Sequence, residues 1–462
     1  MLTARDNALR VLGRWHVLSE PPMLPDRVSG TGGMGDEAWA SLAPRDRAFA
    51  FDLVTGVIRW RGLLDHVIAS RLKQPLDSLD HPVQVLLWLG AYQLLLQGGT
   101  SDYAAVDTTV DMAKRSKTAA KASGLINAVL RGITRFNPAR VPRRGLSRRS
   151  FEIDFATQVD LNTAIFPDPL TAPTSHLAAT RSHPRMYVDF LRRHFKDDLA
   201  AKLLLRNNQR PTITLRADAD AVDAPAMAGL VAHASAKRFL VAAEGWNQSI
   251  DTLVNKGILS PQDPTSARPV RAAAEILTAG TPPKRVLDLC AGLGTKSIQL
   301  ARTFPDALIV SSDTDVAKLS RLMDRAQKIG IKNIRSVSAN DLASEIEVGG
   351  QFDLVLVDVP CSNTGVMGKR VQSRWRWVTL DHVSLHVLQK NLLTQGAAYL
   401  KTGGTLIYST CSLDPAENEK LIEELAAEFP QGLKVIKEES TLPSLSDEIA
   451  ATNDGGYFAI MQ

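Results

Sequence analysis

Apolar residues along this chain follow three successive rhythms. In the first, they recur every three or four positions. The stretch "AKASGLINAVLRGITR" places Ala122, Leu125, Ile126, Val129, Leu130 and Ile133 on one helical stripe. "DRAFAFDLVTGVIRWRGLLDHVIASRLK" (46–73) and the apolar run after it suit a compact helical bundle with short connections, expected over residues 1–138. That run, "VQVLLWLGAYQLLLQ" (83–97), is too short to span a bilayer and contains Gln84 and Gln93, so it predicts a helix buried in protein.

The second rhythm is broken. "FNPARVPRRGLSRRS" sets Arg140, Arg143, Arg144, Arg148 and Arg149 among prolines, glycine and serines, the composition of a linker, expected over 139–174. Its arginines could track an RNA backbone or serve as a solvated tether; the first is slightly favoured. Over 175–262, a helical "MYVDFLRRHFKDDLAAKLLLRN" is followed by strand-like pieces such as "TITLRA", a small α+β module.

In the third, short β-rich runs alternate with helical spans. "RVLDLC", "ALIVSSD", "IRSVSA", "FDLVLVD" and "TLIYST" are separated by segments such as "VAKLSRLMDRAQKIG". This pattern predicts a doubly wound, Rossmann-like parallel sheet over 263–462, with helices on both faces. The expected fold class is therefore multidomain: an all-α bundle, a small α+β middle module and an α/β domain. Ligands in such sheets bind beyond the carboxyl ends of the strands.

Composition adds a few bounds. A chain of 462 residues exceeds one ordinary core, and a net charge of +5 permits a polyanionic partner without demanding one. Three cysteines with no CxxC spacing argue against a disulfide framework or a cysteine–zinc module and point to a reducing, cytoplasmic compartment. The start, "MLTARDNALRVLGRWHVL", shows no apolar core with a small-residue cleavage site, so no signal peptide is read there.

The candidate chemistry lies at the predicted strand ends. "DLCAGLGTKS" (288–297) follows the first strand, and Gly292 and Gly294 would let the backbone turn tightly beneath a ligand. It is no P-loop, because Thr295 replaces the glycine that motif needs, and Ser297 spoils the dinucleotide fingerprint. Asp313, ending the second strand, could accept both hydroxyls of a ribose, whether from NAD or S-adenosylmethionine; its bland alternative is a helix N-cap, a role open to Asp315. "DVPCSNTG" (358–365) and "YSTCSLDPAENE" (408–419) put Cys361 and Cys411 in polar loops just past the fourth and fifth strands. Either cysteine alone reads as a small buried hydrophobe. Two at neighbouring strand ends read as one active site, its thiolate favoured by Lys296 or by a helix opening at "DPAENE".

With "SSDTD", "ANDL" and "SRWRW", these motifs resemble in order and spacing those of the RNA 5-methylcytosine methyltransferases. The helical front half is similar to the NusB-like domain fused to the bacterial members that act on 16S rRNA, and "HPRMYVDFLRRHF" with "LLLRNNQRPTITLRAD" to the segment joining the halves. The resemblance implies a class I methyltransferase domain, S-adenosyl-L-methionine as cofactor, and RNA as substrate, with 16S rRNA expected and tRNA the nearest alternative. It assigns to Cys411 the attack on C6 of cytosine, to Cys361 a part in product release, and to Asp358 a hydrogen bond to the cytosine edge. Lys296 is expected within reach of the same site, where a surface helix-terminal lysine is the bland reading. Cofactor contacts are implied for Cys290, Ala291, Gly292, Leu293, Gly294, Thr295, Lys296 and Asp358, with Asp313 at the ribose and Asp341 near the adenine. Without the motif order Asp341 would be an ordinary turn residue. The chain departs from the family pattern at "GLGT" in place of Ala-Pro-Gly-Gly, at Val359 and Asn363, and at "VMGKRVQSRWRW". No membrane, metal or obligate protein partner is implied.

Other features are weaker. His382 and His386 are spaced to hold a metal on a helix, but no carboxylate lies between them in an HExxH pattern, and a packed or solvated helix face is favoured. "RWRW" (374–377) could stack on bases or pack on the sheet. Two other classes compete with the enzyme reading: an NAD-dependent oxidoreductase, which leaves both strand-end cysteines unexplained, and a noncatalytic RNA-binding scaffold, which has no need of either thiol.

Overall fold

The computed structural model describes residues 2–17, 37–218, 229–277, 281–426 and 432–462. The chain divides into two compact units, one of residues 1–209 with 371–379, the other of 210–370 with 380–462.

The first unit is built on helices α1 (Ala4–Val17), α2 (Glu37–Ala40), α3 (Pro44–Ala69), α4 (His81–Leu95), α5 (Asp102–Arg115) and α6 (Ser123–Thr134). Helix α4 is buried along nearly its whole length, as its unbroken apolar run requires. Its glutamines are satisfied internally: Gln84 donates to the Leu79 carbonyl and Gln93 to that of Leu89. Glycines permit the close crossings. A Cβ on Gly90 would stand 2.6 Å from the Leu130 side chain, and one on Gly56 2.1 Å from the Tyr92 ring. The stripe on α6 buries Ile126, Val129, Leu130 and Ile133, while Leu125 lies at its edge, 37% exposed.

The segment expected as a linker is instead a three-stranded antiparallel sheet of β1 (Ala139–Pro142), β2 (Ser150–Glu152) and β3 (Thr157–Asp160), with β3 in the middle. Phe151 and Val159 pair across it and are buried, which the surrounding arginines concealed in the sequence. Those arginines serve the protein: Arg140 donates to the Leu96 carbonyl, Arg143 pairs with buried Glu152, and Arg148 donates to the Phe166 carbonyl. Helices α7 (Pro173–Thr180), α8 (Arg185–His194) and α9 (Asp197–Asn208) complete this unit.

The second unit opens with a four-stranded antiparallel sheet ordered β5-β6-β4-β7, from β4 (Ile213–Ala217), β5 (Leu230–Ala232), β6 (Phe239–Ala242) and β7 (Leu259–Pro261), with α10 (Gln248–Asn255) before β7. After α11 (Pro264–Leu277) come β8 (Arg285–Asp288), α12 (Thr295–Thr303), β9 (Leu308–Asp313), α13 (Val316–Lys328), β10 (Ile334–Ser338), α14 (Leu342–Gly349) and β11 (Phe352–Asp358). Helix α15 (Ser373–Thr379) belongs to the first unit; α16 (His382–Ala398), β12 (Leu400–Thr410), α17 (Glu419–Ala426), β13 (Val435–Thr441) and β14 (Gly456–Met461) finish the second.

The large sheet runs β10-β9-β8-β11-β12-β14-β13. Its first five strands are parallel, and β14 enters antiparallel between β12 and β13, so the sheet is mixed rather than purely parallel. Along β11, Val355 and Val357 pack into one apolar layer and Leu354 and Leu356 into the other. A strand covered on both faces can be apolar without a break. The order reverses at β8 and β11, and the crevice at that point lies beyond the carboxyl ends of both. Among the described residues, no helix is long and apolar enough to cross a membrane.

Candidate active site

Five parallel strands end on one edge of the sheet, and each delivers polar chemistry there. Strand β8 ends at Asp288 and enters the turn Cys290–Lys296. Gly294 has φ +77° and is the N-cap of α12; a Cβ there would fall 2.0 Å from the Leu322 side chain. Gly292 has φ +54°, and the space its Cβ would occupy is open. Its amide donates to Asp313 Oδ2 over 2.8 Å, tying the turn to the end of β9. Asp313 is not the helix cap. That role falls to Asp315, whose carboxylate accepts from the Ala317 and Lys318 amides. Asp341 lies just beyond β10, accepts from Ser338 Oγ at 2.6 Å, and makes no side-chain cap. Ala291 is buried behind the turn and Leu293 is exposed at its tip.

Asp288 lies under this turn, fully buried. Ser297 Oγ donates to its Oδ2 at 2.6 Å, and its Oδ1 has no partner among the described residues. Burial pushes its pKa up to about 7. Cys290, half-buried nearby, has its thiol pushed far up by burial and then by the surrounding carboxylates, so it is no nucleophile.

Asp358 ends β11. Its Oδ2 accepts from Lys296 Nζ at 2.7 Å and its Oδ1 from Ser409 Oγ at 2.5 Å. Lys296 is therefore paired with a strand-end carboxylate and is not a surface lysine. Burial works against its charge, but Asp358 prevails and holds the ammonium above its usual range.

Beyond Asp358 and beyond β12, the two strand-end cysteines meet. Cys361 Sγ and Cys411 Sγ are 3.0 Å apart. The contact splits their acidities. Cys411 is lowered, first by the hydrogen bond from Cys361 and then, against burial, by Arg370 and Lys296. Cys361 is raised, first by that same bond and then by burial. The helix foreseen at "DPAENE" begins only at Glu419, behind a 3₁₀ turn of Pro415–Glu417.

The loops carrying the cysteines are joined beneath the sulfurs by residues that sequence reasoning missed. Buried Glu417 accepts from the Ser362 amide, from Ser412 Oγ and from Gln389 Nε2. Thr364 Oγ1 accepts from the Leu413 amide at 2.7 Å, and the amide of the next residue in the same loop, Gly365, donates to the Cys411 carbonyl at 2.9 Å. A Cβ on Gly365 would stand 2.6 Å from the Gly455 carbonyl oxygen. The acids of "PAENE" were the available signal, though nothing in one sequence says that Glu417 turns inward.

Other candidates fall elsewhere. His386 bonds to Glu424 and to the Ala416 carbonyl, and no group of described residues could hold a metal ion. "RWRW" packs inside the first unit, on helices rather than on the sheet: Arg374 is fully buried, donating to the carbonyls of Arg59 and Asn207 and to Asn208 Oδ1. Trp375 donates to the Ile58 carbonyl, and Trp377 lies against Tyr187 and Phe190.

Residues 276–441 match the family model of the 16S rRNA methyltransferase RsmB/F, and residues 2–135 that of the NusB family. The chain thus resembles an RsmB/F-type methyltransferase domain joined to a NusB-type domain. It is 27% identical over 441 residues to ribosomal RNA small subunit methyltransferase B of Sodalis glossinidius, covering 94% of this chain and 93% of that one. Its fold is similar to the crystal structure of PH0851, with TM-score 0.67, 20% identity and 91% of each chain covered. A methyltransferase homologue from Pyrococcus horikoshii matches with TM-score 0.50 and 21% identity, over 63% of this chain and 99% of that one.

RsmB/F-type methyltransferases use S-adenosylmethionine. The donor set fits it: Asp313 and Asp341 end adjacent strands, the turn at Gly292 is open, and Asp288 offers an unpartnered buried oxygen. A crevice lined by carboxylates suits a molecule carrying an ammonium and a sulfonium.

Proposed function

We propose that the chain methylates C5 of a cytosine in RNA, with the 16S rRNA of the small ribosomal subunit as target. The Cys361–Cys411 contact of 3.0 Å at two neighbouring strand ends is the observation that carries this reading. The names of its relatives and the NusB-family domain favour ribosomal RNA over tRNA. In this reading Asp313 holds the ribose of S-adenosylmethionine and Asp341 stands near its adenine, with the turn Cys290–Lys296 along the methionine portion. When bound, the cofactor supplies an electrophilic methyl group.

C5 of cytosine is a weak nucleophile, and Cys411 corrects this. Its thiolate adds to C6, forming the S–C6 bond and moving the 5,6 π pair onto C5. Asp358 accepts a hydrogen bond from the N4 amino group at the cytosine edge and orients the base in the adduct; with both oxygens already bonded once, a carboxylate keeps acceptor capacity for this. Lys296 keeps Asp358 ionised and in place. Once C5 is methylated, a base removes its proton, the C–H pair restores the 5,6 double bond, and the S–C6 bond breaks to release the Cys411 thiolate. The Cys361 thiol, held protonated, donates to that departing sulfur and assists release. The base must be unstacked for the sulfur to reach C6.

The test is methyl transfer from labelled S-adenosylmethionine to unmodified 16S rRNA and to tRNA, by the wild type, Cys411→Ala and Cys361→Ser. The expected result is label in 5-methylcytosine of rRNA, abolished in Cys411→Ala, with Cys361→Ser trapped as a protein–RNA adduct. Label on tRNA alone would move the substrate. No transfer by a protein that still binds RNA would overturn the enzyme reading.

A further inference from the structure

Asn363 connects an exposed cation to the proposed nucleophile. It adopts φ +61°, a conformation that side-chain-bearing residues rarely hold, and its amide is fixed from three sides. Its Nδ2 donates to the Cys361 carbonyl at 2.8 Å. Its Oδ1 accepts from Arg370 Nη1 at 2.9 Å and from the Cys411 thiol at 3.4 Å.

We propose that Arg370 is a positioning residue for Cys411, acting through Asn363 to hold the sulfur in place and favour its thiolate. The proposal rests on Cys411 being the nucleophile.

The charged and titratable groups that act on Cys411 come from four places: Cys361 in its own loop, Asp358 at the end of β11, Lys296 on α12, and Arg370. Lys296 and Asp358 pair at 2.7 Å, so their opposite charges largely offset at the sulfur. Arg370 forms no ion pair among the described residues, and its charge is left uncompensated. When Cys411 loses its proton, the Asn363 oxygen still receives the Arg370 hydrogen bond. It therefore does not confront the thiolate as a bare acceptor. Removing the guanidinium would leave that oxygen turned toward a negative sulfur, and deprotonation would become harder.

The experiment uses the full chain and reads the pH profile of Cys411 alkylation by iodoacetamide, followed by peptide mass mapping. The variants are Arg370→Ala, Arg370→Lys, Asn363→Gly and the Arg370→Ala/Asn363→Gly double variant. Glycine suits the left-handed backbone at 363, so the loop should survive that change. Arg370→Ala is expected to raise the Cys411 pKa by roughly half a unit to one unit, as for an exposed charge, with Arg370→Lys in between, whereas Asn363→Gly, which takes away the oxygen itself, should not raise it. Adding Arg370→Ala to Asn363→Gly should move the profile less than Arg370→Ala moves it alone, because the relay is already broken. At pH 7, Arg370→Ala should lower kcat for methyl transfer several-fold at unchanged KM for RNA. An unchanged alkylation profile overturns the proposal, as does a raised KM alone, which would make Arg370 a phosphate contact. Additive shifts would sink the relay through Asn363. Should Arg370→Ala move the profile while Cys411→Ala still methylates, the relay stands and the nucleophile reading beneath it fails.

Discussion

The Ser362 amide donates to the Glu417 carboxylate over 2.9 Å, and this bond joins the loop after β11 to the loop after β12. Glu417 is buried and receives two further hydrogen bonds, from Ser412 and Gln389. Removing it takes the acceptor from the Ser362 amide, leaves Gln389 Nε2 only the Pro360 carbonyl, and leaves Ser412 Oγ only its neighbouring hydroxyls.

Glu417→Ala is expected to destabilise the methyltransferase domain by about 2–4 kcal/mol, the range for stripping a buried charged acceptor from its donors. Glu417→Gln should cost less, since it keeps two lone pairs but brings an amine against the Ser362 amide or Ser412. Thermal unfolding measures both. Equal stability of wild type and Glu417→Ala would refute the clamp.

Asp288 should make stability pH-dependent. Its folded pKa of about 7 lies above the ordinary 3.8 of an aspartate, so the native state binds more protons than the unfolded chain between those values. Stability from this group is therefore greatest at low pH and falls as pH rises through 4 to 7. The full cost, at most about 4 kcal/mol by linkage, is present above pH 7. Asp288→Asn removes it while a carbonyl oxygen can still accept from Ser297. The variant should melt higher than wild type at pH 8, with the gap shrinking at pH 5, and should bind S-adenosylmethionine more weakly by calorimetry.

Lys296→Met removes the cation from Asp358 and from the neighbourhood of Cys411. Methyl transfer should drop at least about tenfold, equivalent to roughly 1.4 kcal/mol of barrier. The optimum should move to higher pH, since the Cys411 thiol then deprotonates later. RNA affinity, measured by filter binding, should change little.

Arg374 offers a choice between packing and RNA contact. With Nη1 and Nη2 bonded to Arg59, Asn207 and Asn208, Arg374→Ala should destabilise the helical unit by about 3–5 kcal/mol, as for a buried charge network that loses its cation. Loss of RNA affinity at unchanged melting temperature would contradict the packing role.

Much of the architecture was legible in the chain because it depends on local periodicity. The stripe Ile126, Val129, Leu130, Ile133 repeats with the helical turn, and each of these residues is buried. The runs "RVLDLC" to "TLIYST" are apolar without interruption because strands covered on both faces must be. Asp313, Asp358, Cys361 and Cys411 could be proposed as neighbours because parallel strands of one sheet end on one edge. The small sheet at 139–160 was hidden, since five arginines in a short stretch outweigh its two buried apolar residues, Phe151 and Val159.

What the sequence by itself determined was the kind of element most segments form and which chemistry stands at the strand ends, because both depend on neighbours a few residues away. Only the tertiary structure decided where those ends point. It inserted β14 antiparallel beside β12, buried Arg374 and Trp377 among helices of the first unit, turned Glu417 under the two loops, and brought Asn363 between Arg370 and Cys411. Each of these depends on contacts between residues distant in the chain, whose desolvation and hydrogen-bond geometry no local pattern encodes.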